Sequence, residues 1–200
     1  MANHVYFNIE LSLDAGQAEL VEKLKNSCKE NQGEMQWLTY AVEKLPIYST
    51  PYDEDDWYMW GCNNMGAKWV SCEEWNETTI SGHSAWSPVV PLVENLIEYI
   101  HQEVGGQPSA KMTYEDEFRN FMGKQYYGCD KDGDEGWYAW EGEYNETDGT
   151  ALCEQFDDLY PSLNSTEDDF EWHDEHEVDG ETIYPYEVMD ELADQFWERV

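Results

Sequence analysis

Two hundred residues with 40% hydrophobic content, 10 Trp and 14 Tyr suffice for a core of ordinary size and argue against global disorder. The charge is the outlier: 45 acidic against 10 basic residues, a formal net of -35. A chain this acidic repels nucleic acid and anionic membranes, both polyanions, which excludes direct binding to either and makes basic proteins or cations the expected partners.

The chain opens with Val5, Phe7, Ile9, Leu11 and Leu13 alternating with polar positions, the period of a half-buried strand. Asp14 then caps a helix in which Ala18, Val21, Leu24 and Cys28 share a face. Residues 34–52 fit neither period: Trp37 to Val42 reads as strand or helical turn, and Pro46 and Pro51 interrupt the segment behind it. Asp53-Glu-Asp-Asp56 places acid before a short helix at Trp57–Trp60, favourable through capping and the helix dipole.

Lys68–Glu77 and Thr79–Ala85 read as two strands joined by a tight turn. Ser87-Pro88 reads as a helix start, with the regular helix beginning at Pro91. Leu92, Leu96, Ile97, Ile100 and Val104 form its buried stripe, and Gly105-Gly106 ends it. Ala110–Phe118 is a further strand, and Gly123–Cys129 with Gly136–Tyr144 a hairpin. Residues 145–181 are polar and acidic, anchored by Phe156, Leu159, Tyr160, Phe170 and Trp172. An amphipathic helix over Tyr186–Val200 closes the chain, with Val188, Met189, Leu192, Phe196 and Val200 inward.

The order strand, helix, two strands, helix, strand predicts an α+β fold: a ferredoxin-like antiparallel sheet with helices on one face, an extra hairpin, and an acidic C-terminal extension ending in a helix. The expected organisation is a domain over 1–145, with 146–200 as an extension whose helix packs on the same domain.

Two stretches carry a resemblance. Asn64-Met-Gly-Ala-Lys-Trp69 and Ser84-Ala-Trp-Ser-Pro-Val-Val-Pro91 are similar to the Asn-Trp-Gly-Thr-Lys-Trp and Thr-Ala-Trp-Ser-Pro-Pro signatures of the YubB-type ferredoxin-like proteins of phages and plasmids. Met65, Ala67 and Val89 depart from the pattern. The resemblance spans residues 1–145 and implies a fold and a mobile-element origin. It carries over no catalytic residue.

Few motifs suggest chemistry. Asp130, Asp132, Asp134 and Glu141 have the spacing of calcium-loop carboxylates, but Glu135 stands where the sharp turn needs glycine, and Asp and Gly are also what a hairpin turn demands. His173 and His176 lie at helical i, i+3 spacing among acids, a weak metal signal. Cys28, Cys62, Cys72, Cys129 and Cys153 are an odd set without a CxxC pair, which fits reduced thiols. Cys62, Cys72 and His83 are the only candidates for an enzyme pocket, and small apolar thiols explain both cysteines. Trp69, Trp86, Trp137 and Trp140 resemble a base-stacking platform, which the charge rejects in favour of core and interface packing.

The acid is unevenly spread: no Lys or Arg occurs from Asp132 to Glu198. Carboxylates at alternate strand positions sit about 6.6 Å apart and can follow a row of Lys or Arg that normally grips phosphates. The expected function is a non-enzymatic phage accessory protein without cofactors. Asp157, Asp158, Glu167, Asp168, Asp169, Asp174, Glu175, Glu177 and Asp179 would bind a basic, nucleic-acid-binding host protein in the host cytoplasm. The alternative is a salt-adapted or calcium-binding structural protein. The Met-Ala-Asn-His-Val start lacks the regions of a secretion signal, and no apolar run approaches the ~20 residues of a membrane span.

Overall fold

The computed structural model describes residues 3–30, 40–117, 121–130, 138–141, 145–163, 170 and 174–199. Its first strand, β1 (His4–Ser12), carries the expected alternation: Val5, Phe7, Ile9 and Leu11 are buried, while Tyr6 and Glu10 are exposed. β1 pairs antiparallel with β3 (Thr79–Ala85) on one edge and with β4 (Ser109–Asp116) on the other. β2 (Lys68–Trp75) pairs antiparallel with β3, and β5 (Phe121–Asp130) with β6 (Tyr138–Glu141), in the order β2-β3-β1-β4-β5-β6. The fold is therefore α+β, with an antiparallel sheet wherever register is described. Two compact units divide the chain: residues 1–117 with 123–144, and residues 118–122 with 145–200.

In the first unit one sheet face is closed by apolar side chains. Met112 and Tyr114 of β4 and Ile80 of β3 join the buried set of β1. α1 (Ala15–Glu30) and α3 (Val90–Val104) pack against each other. Asp14 caps α1 as expected, through a reciprocal box. Its Oδ1 accepts from the Gly16 and Gln17 amides at 2.9 and 3.0 Å, while its own amide donates to Gln17 Oε1 at 2.9 Å. Gln17 is buried, and its Nε2 donates to the Gly105 carbonyl at 2.8 Å, tying the start of α1 to the end of α3.

Ser87 does not cap α3. Its Oγ donates to the Gly66 carbonyl at 2.6 Å, while Ser84 Oγ donates to the Ser87 carbonyl at 2.6 Å. The helix starts at Val90 with Pro91 in its first turn, where a missing N–H has no intrahelical acceptor to lose. Leu92, Leu96, Ile97 and Ile100 are buried with Val93, whereas Val104, expected inward, is largely exposed at the last turn.

α2 (Trp57–Asn64) extends the expected Trp57–Trp60 helix by a turn and carries Cys62. Asp53 Oδ1 accepts from the Asp55 and Asp56 amides at 2.9 and 3.3 Å, and Asp56 stands at the N-cap without a side-chain cap bond. Trp60 is buried between Tyr48 and Tyr52 in edge contacts, and its Nε1 donates to the Thr50 carbonyl at 3.1 Å. The ambiguous stretch before it becomes an isolated bridge from Tyr40 to Cys72 and a 3-10 turn over Val42–Lys44. Trp37 lies outside the described residues.

The second unit departs most from expectation. The polar stretch after residue 145 holds β7 (Asn145–Asp148), α4 (Gly149–Leu159) and a hairpin of β8 (His176–Val178) and β9 (Glu181–Ile183). Its hinge is Asp179-Gly180, both at positive φ, the two-residue turn that suits a twisted hairpin. α5 (Pro185–Arg199) buries Met189, Leu192, Ala193 and Phe196 in one cluster with Leu152 and Phe156 of α4 and with Met122. The C-terminal helix thus packs on α4, an element the acidic composition concealed. No described helix is long and apolar enough to cross a membrane.

Gly82 lies against the bulged β2 strand so closely that a Cβ would collide with the Ser71 carbonyl, whereas a Cβ at Gly105 meets nothing within 4 Å. Gly82→Ala is expected to cost more than about 3 kcal/mol. Gly105→Ala, at φ 82 and ψ -163, is expected to cost about 1–3 kcal/mol from backbone conformation alone. Urea unfolding midpoints of the two variants check the ordering.

Candidate functional site

Three surfaces of the described residues carry unusual chemistry. The first grows out of irregular backbone. Between Lys68 and Ser71 the β2–β3 ladder is interrupted, and Trp69 sits in that interruption at φ 50. Trp86 comes directly after the last ladder residue, Ala85, at φ 75. A bulky side chain at positive φ is a backbone outlier, and bulges are where strands re-aim side chains. Here both indoles turn outward: Trp69 is 55% and Trp86 51% exposed, so of the expected core and interface packing neither ring takes the core part.

Trp57 stacks on Trp69 at 6.1 Å between centroids, and Trp57, Tyr58 and Met59 are exposed on the first turn of α2. The Lys68 ammonium lies over three rings, 4.6 Å from Trp69, 5.1 Å from Tyr58 and 5.6 Å from Trp86. The two stretches meet through Ser87 Oγ, which donates to the Gly66 carbonyl, and Asn95 Nδ2 of α3 adds a bond to the Asn64 carbonyl at 3.1 Å.

The second surface is the outer face of the sheet. His4, Tyr6 and His83 cluster there, with the imidazole centroids 4.8 Å apart. His83 Nδ1 lies 3.0 Å from Glu73 Oε1, and His4 Nδ1 lies 3.8 Å from Glu117 Oε2. Carboxylates on Nδ1 orient imidazoles, as they do around metals. Among the described residues, however, no group of three or more His, Cys, Asp or Glu is arranged to hold an ion. A shallow groove of about 440 Å³ on the same unit is lined by Leu11, Ala110 and Tyr127, with Lys111 engaged by Glu10 at 3.6 Å.

His83 pairs with neither cysteine. Cys72 is opposite Gly82, one ladder position away, so it faces the core while His83 faces out. Burial raises the Cys72 thiol well above its usual range, with Cys28 nearby adding to it. Burial, with Glu43 nearby, pushes Cys28 up to about 12. Neither thiol is a nucleophile at neutral pH.

The third surface is acidic. Asp157 and Asp158 lie at the end of α4, Asp158 exposed and Asp157 partly so. Asp174, Glu175, Glu177 and Asp179 are exposed on and around β8. Glu181 on β9 and Glu187, Asp190, Glu191 and Asp194 on α5, none of them among the expected binding residues, are exposed too. Glu167, Asp168 and Asp169 lie outside the described residues, as does His173. His176 stands on a strand, its ring stacked on Phe170 at 5.0 Å between centroids.

The field of these acids is felt locally. Glu175 raises the Tyr184 hydroxyl by charge and by a 3.3 Å bond, and Glu187 raises Tyr186 through a 3.1 Å bond.

The calcium-loop reading meets the ladder. Asp130 is opposite Tyr138, and Glu141 is opposite Tyr127, three residues further along β6. Strand alternation assigns positions 130 and 141 to opposite faces of the sheet. Asp132 and Asp134 lie outside the described residues.

No family model matches the chain, and neither the curated proteins nor the solved structures contain a match to it.

Calorimetry with calcium is expected to give no saturable heat that disappears in Asp130→Asn, because the ladder separates Asp130 from Glu141. The raised folded pKa of Cys28 means the folded state holds its proton more tightly than the unfolded chain. Its contribution to stability is therefore complete below the unfolded value of 9.0 and is lost as pH rises from there toward about 12. Denaturation midpoints should fall above about pH 9, and the slope should lessen in Cys28→Ala.

Proposed function

We propose that this chain is a non-enzymatic phage accessory protein whose acidic surface binds a basic, nucleic-acid-binding host protein in the host cytoplasm. Its carboxylates take the place of the phosphates that the partner normally grips. The observation that carries the reading is the charge of the second unit. Residues 118–122 with 145–200 hold 19 Asp and Glu against Arg119 and Arg199, a formal -17 in 61 residues. Those two arginines are the only Lys or Arg side chains the unit offers its carboxylates. The other unit carries -18 over 139 residues, less than half that density.

Charge left unneutralised at this density repels itself and costs stability, so a surface that keeps it fits a cationic partner. Such attraction accelerates encounter and suppresses anionic competitors. The unit displays exposed acids on α4, on the β8–β9 hairpin and on α5. We read the first unit as a ferredoxin-like scaffold, supported by the order β2-β3-β1-β4 with α1 and α3 in the crossovers. The resemblance of Asn64–Trp69 and Ser84–Pro91 to YubB-type proteins supports a mobile-element origin.

Affinity capture from host lysate at low salt tests this. Nucleic-acid-binding proteins should be retained, released by added double-stranded DNA, and lost steeply as salt rises through the range where the Debye length falls to about 8 Å. Capture of no such protein, or capture indifferent to DNA and salt, would overturn the reading. A salt-adapted surface without a partner predicts a thermal midpoint that climbs with salt and an empty capture, so the two experiments together separate the readings.

A further inference from the structure

The aromatic patch on the first unit has a feature that core packing does not explain. Of the exposed large apolar side chains among the described residues, Tyr58, Trp69 and Trp86 gather around one lysine, and Trp57 stacks on Trp69. Two of these residues keep a backbone conformation costing about 1–3 kcal/mol each. Strain retained to hold rings in solvent points to something the rings contact.

The chemistry of that contact is legible from Lys68. Its ammonium has no carboxylate within 4.0 Å among the described residues, in a chain where acids outnumber bases 45 to 10. It lies over the faces of Tyr58, Trp69 and Trp86 instead. The negative faces of aromatic rings attract cations, tryptophan most strongly. The three rings thus already form a seat for a cation, and the protein's own lysine occupies it. Asp53, Glu54, Asp55 and Asp56, all exposed, directly precede Trp57 in the chain and add negative charge beside the rings.

We propose that Tyr58, Trp69 and Trp86 form the docking point for an arginine side chain of the basic partner, with Lys68 as an internal stand-in that the incoming arginine displaces. The inference rests on the functional reading above for the sign of the partner. It adds an anchor: a planar guanidinium stacks on indole faces, desolvates at little cost and is enriched with Trp and Tyr at interface hot spots.

The experiment is calorimetric titration of the full chain with a synthetic arginine–glycine repeat peptide at low salt, with a lysine–glycine peptide of equal charge as reference. Trp86→Gly removes a ring while suiting the backbone at φ 75, so the variant is expected to fold, which its thermal melt checks. It should weaken the arginine peptide about tenfold and the lysine peptide less. Lys68→Met removes the internal cation and should leave arginine-peptide affinity unchanged or raise it.

Loss of affinity in Lys68→Met would overturn the proposal, because removing a competing cation from the seat cannot weaken a cationic ligand that takes its place. Unchanged affinity in Trp86→Gly would also overturn it. If Glu177→Gln/Asp179→Asn/Glu181→Gln nevertheless weakened binding, the acidic-surface reading would stand without the aromatic anchor. Failure of the wild-type chain to bind either peptide would remove both.

Discussion

β1 is hydrogen-bonded along both edges, and that double pairing constrains the rest of the first unit. A strand held on both sides cannot slip by one residue without turning Val5, Phe7, Ile9 and Leu11 to solvent. Its register sets those of β3 and β4. Through β3 it sets that of β2, whose ladder then has to absorb an interruption between Lys68 and Ser71. The outward indoles of Trp69 and Trp86 stand at that interruption and just past the end of the β3 ladder. The outward histidine cluster follows from the register of β1: Tyr6 lies between His83 and Glu115 because the register allows no other neighbours.

The chain separates its two properties by location. The first unit carries the regular sheet, the capped helices and the aromatic patch. The second holds nearly half the net charge in under a third of the residues, and its helix pair is held by a small cluster around Leu152, Phe156, Leu192 and Phe196. Few apolar residues suffice there because both helices present one narrow stripe to each other and leave the acids on the outer faces. Charge and core do not compete for the same positions.

Where sequence pattern and structure part, the causes are specific. Ser87 has the pattern of a helix cap, since serine before proline usually is one; a tertiary acceptor, the Gly66 carbonyl, takes its hydroxyl instead. α4 is hidden because Leu152, Phe156 and Tyr160 sit among acids, although their i, i+4, i+8 spacing is helical. The Asp179-Gly180 pair is a hairpin signal that the surrounding acidic run masks. The calcium spacing of Asp130 and Glu141 counts residues along the chain, whereas ladder register decides which face each position takes.

Sequence alone determined what depends on local pattern and on sums. These are the alternation of β1, the Asp14 cap, the glycine stop of α3, the hairpin joining β5 to β6, and the concentration of acid toward the C-terminus. Tertiary structure decided which side chains share a surface. Lys68 and Trp69 are neighbours in the chain, but Tyr58 and Trp86 reach them only because α2 and the end of β3 converge on the bulge in β2. Burial likewise chose between Cys72 and His83, one ladder position apart and pointing opposite ways. Periodicity along a chain is a local property of the backbone; proximity across it depends on register and packing, which local pattern does not encode.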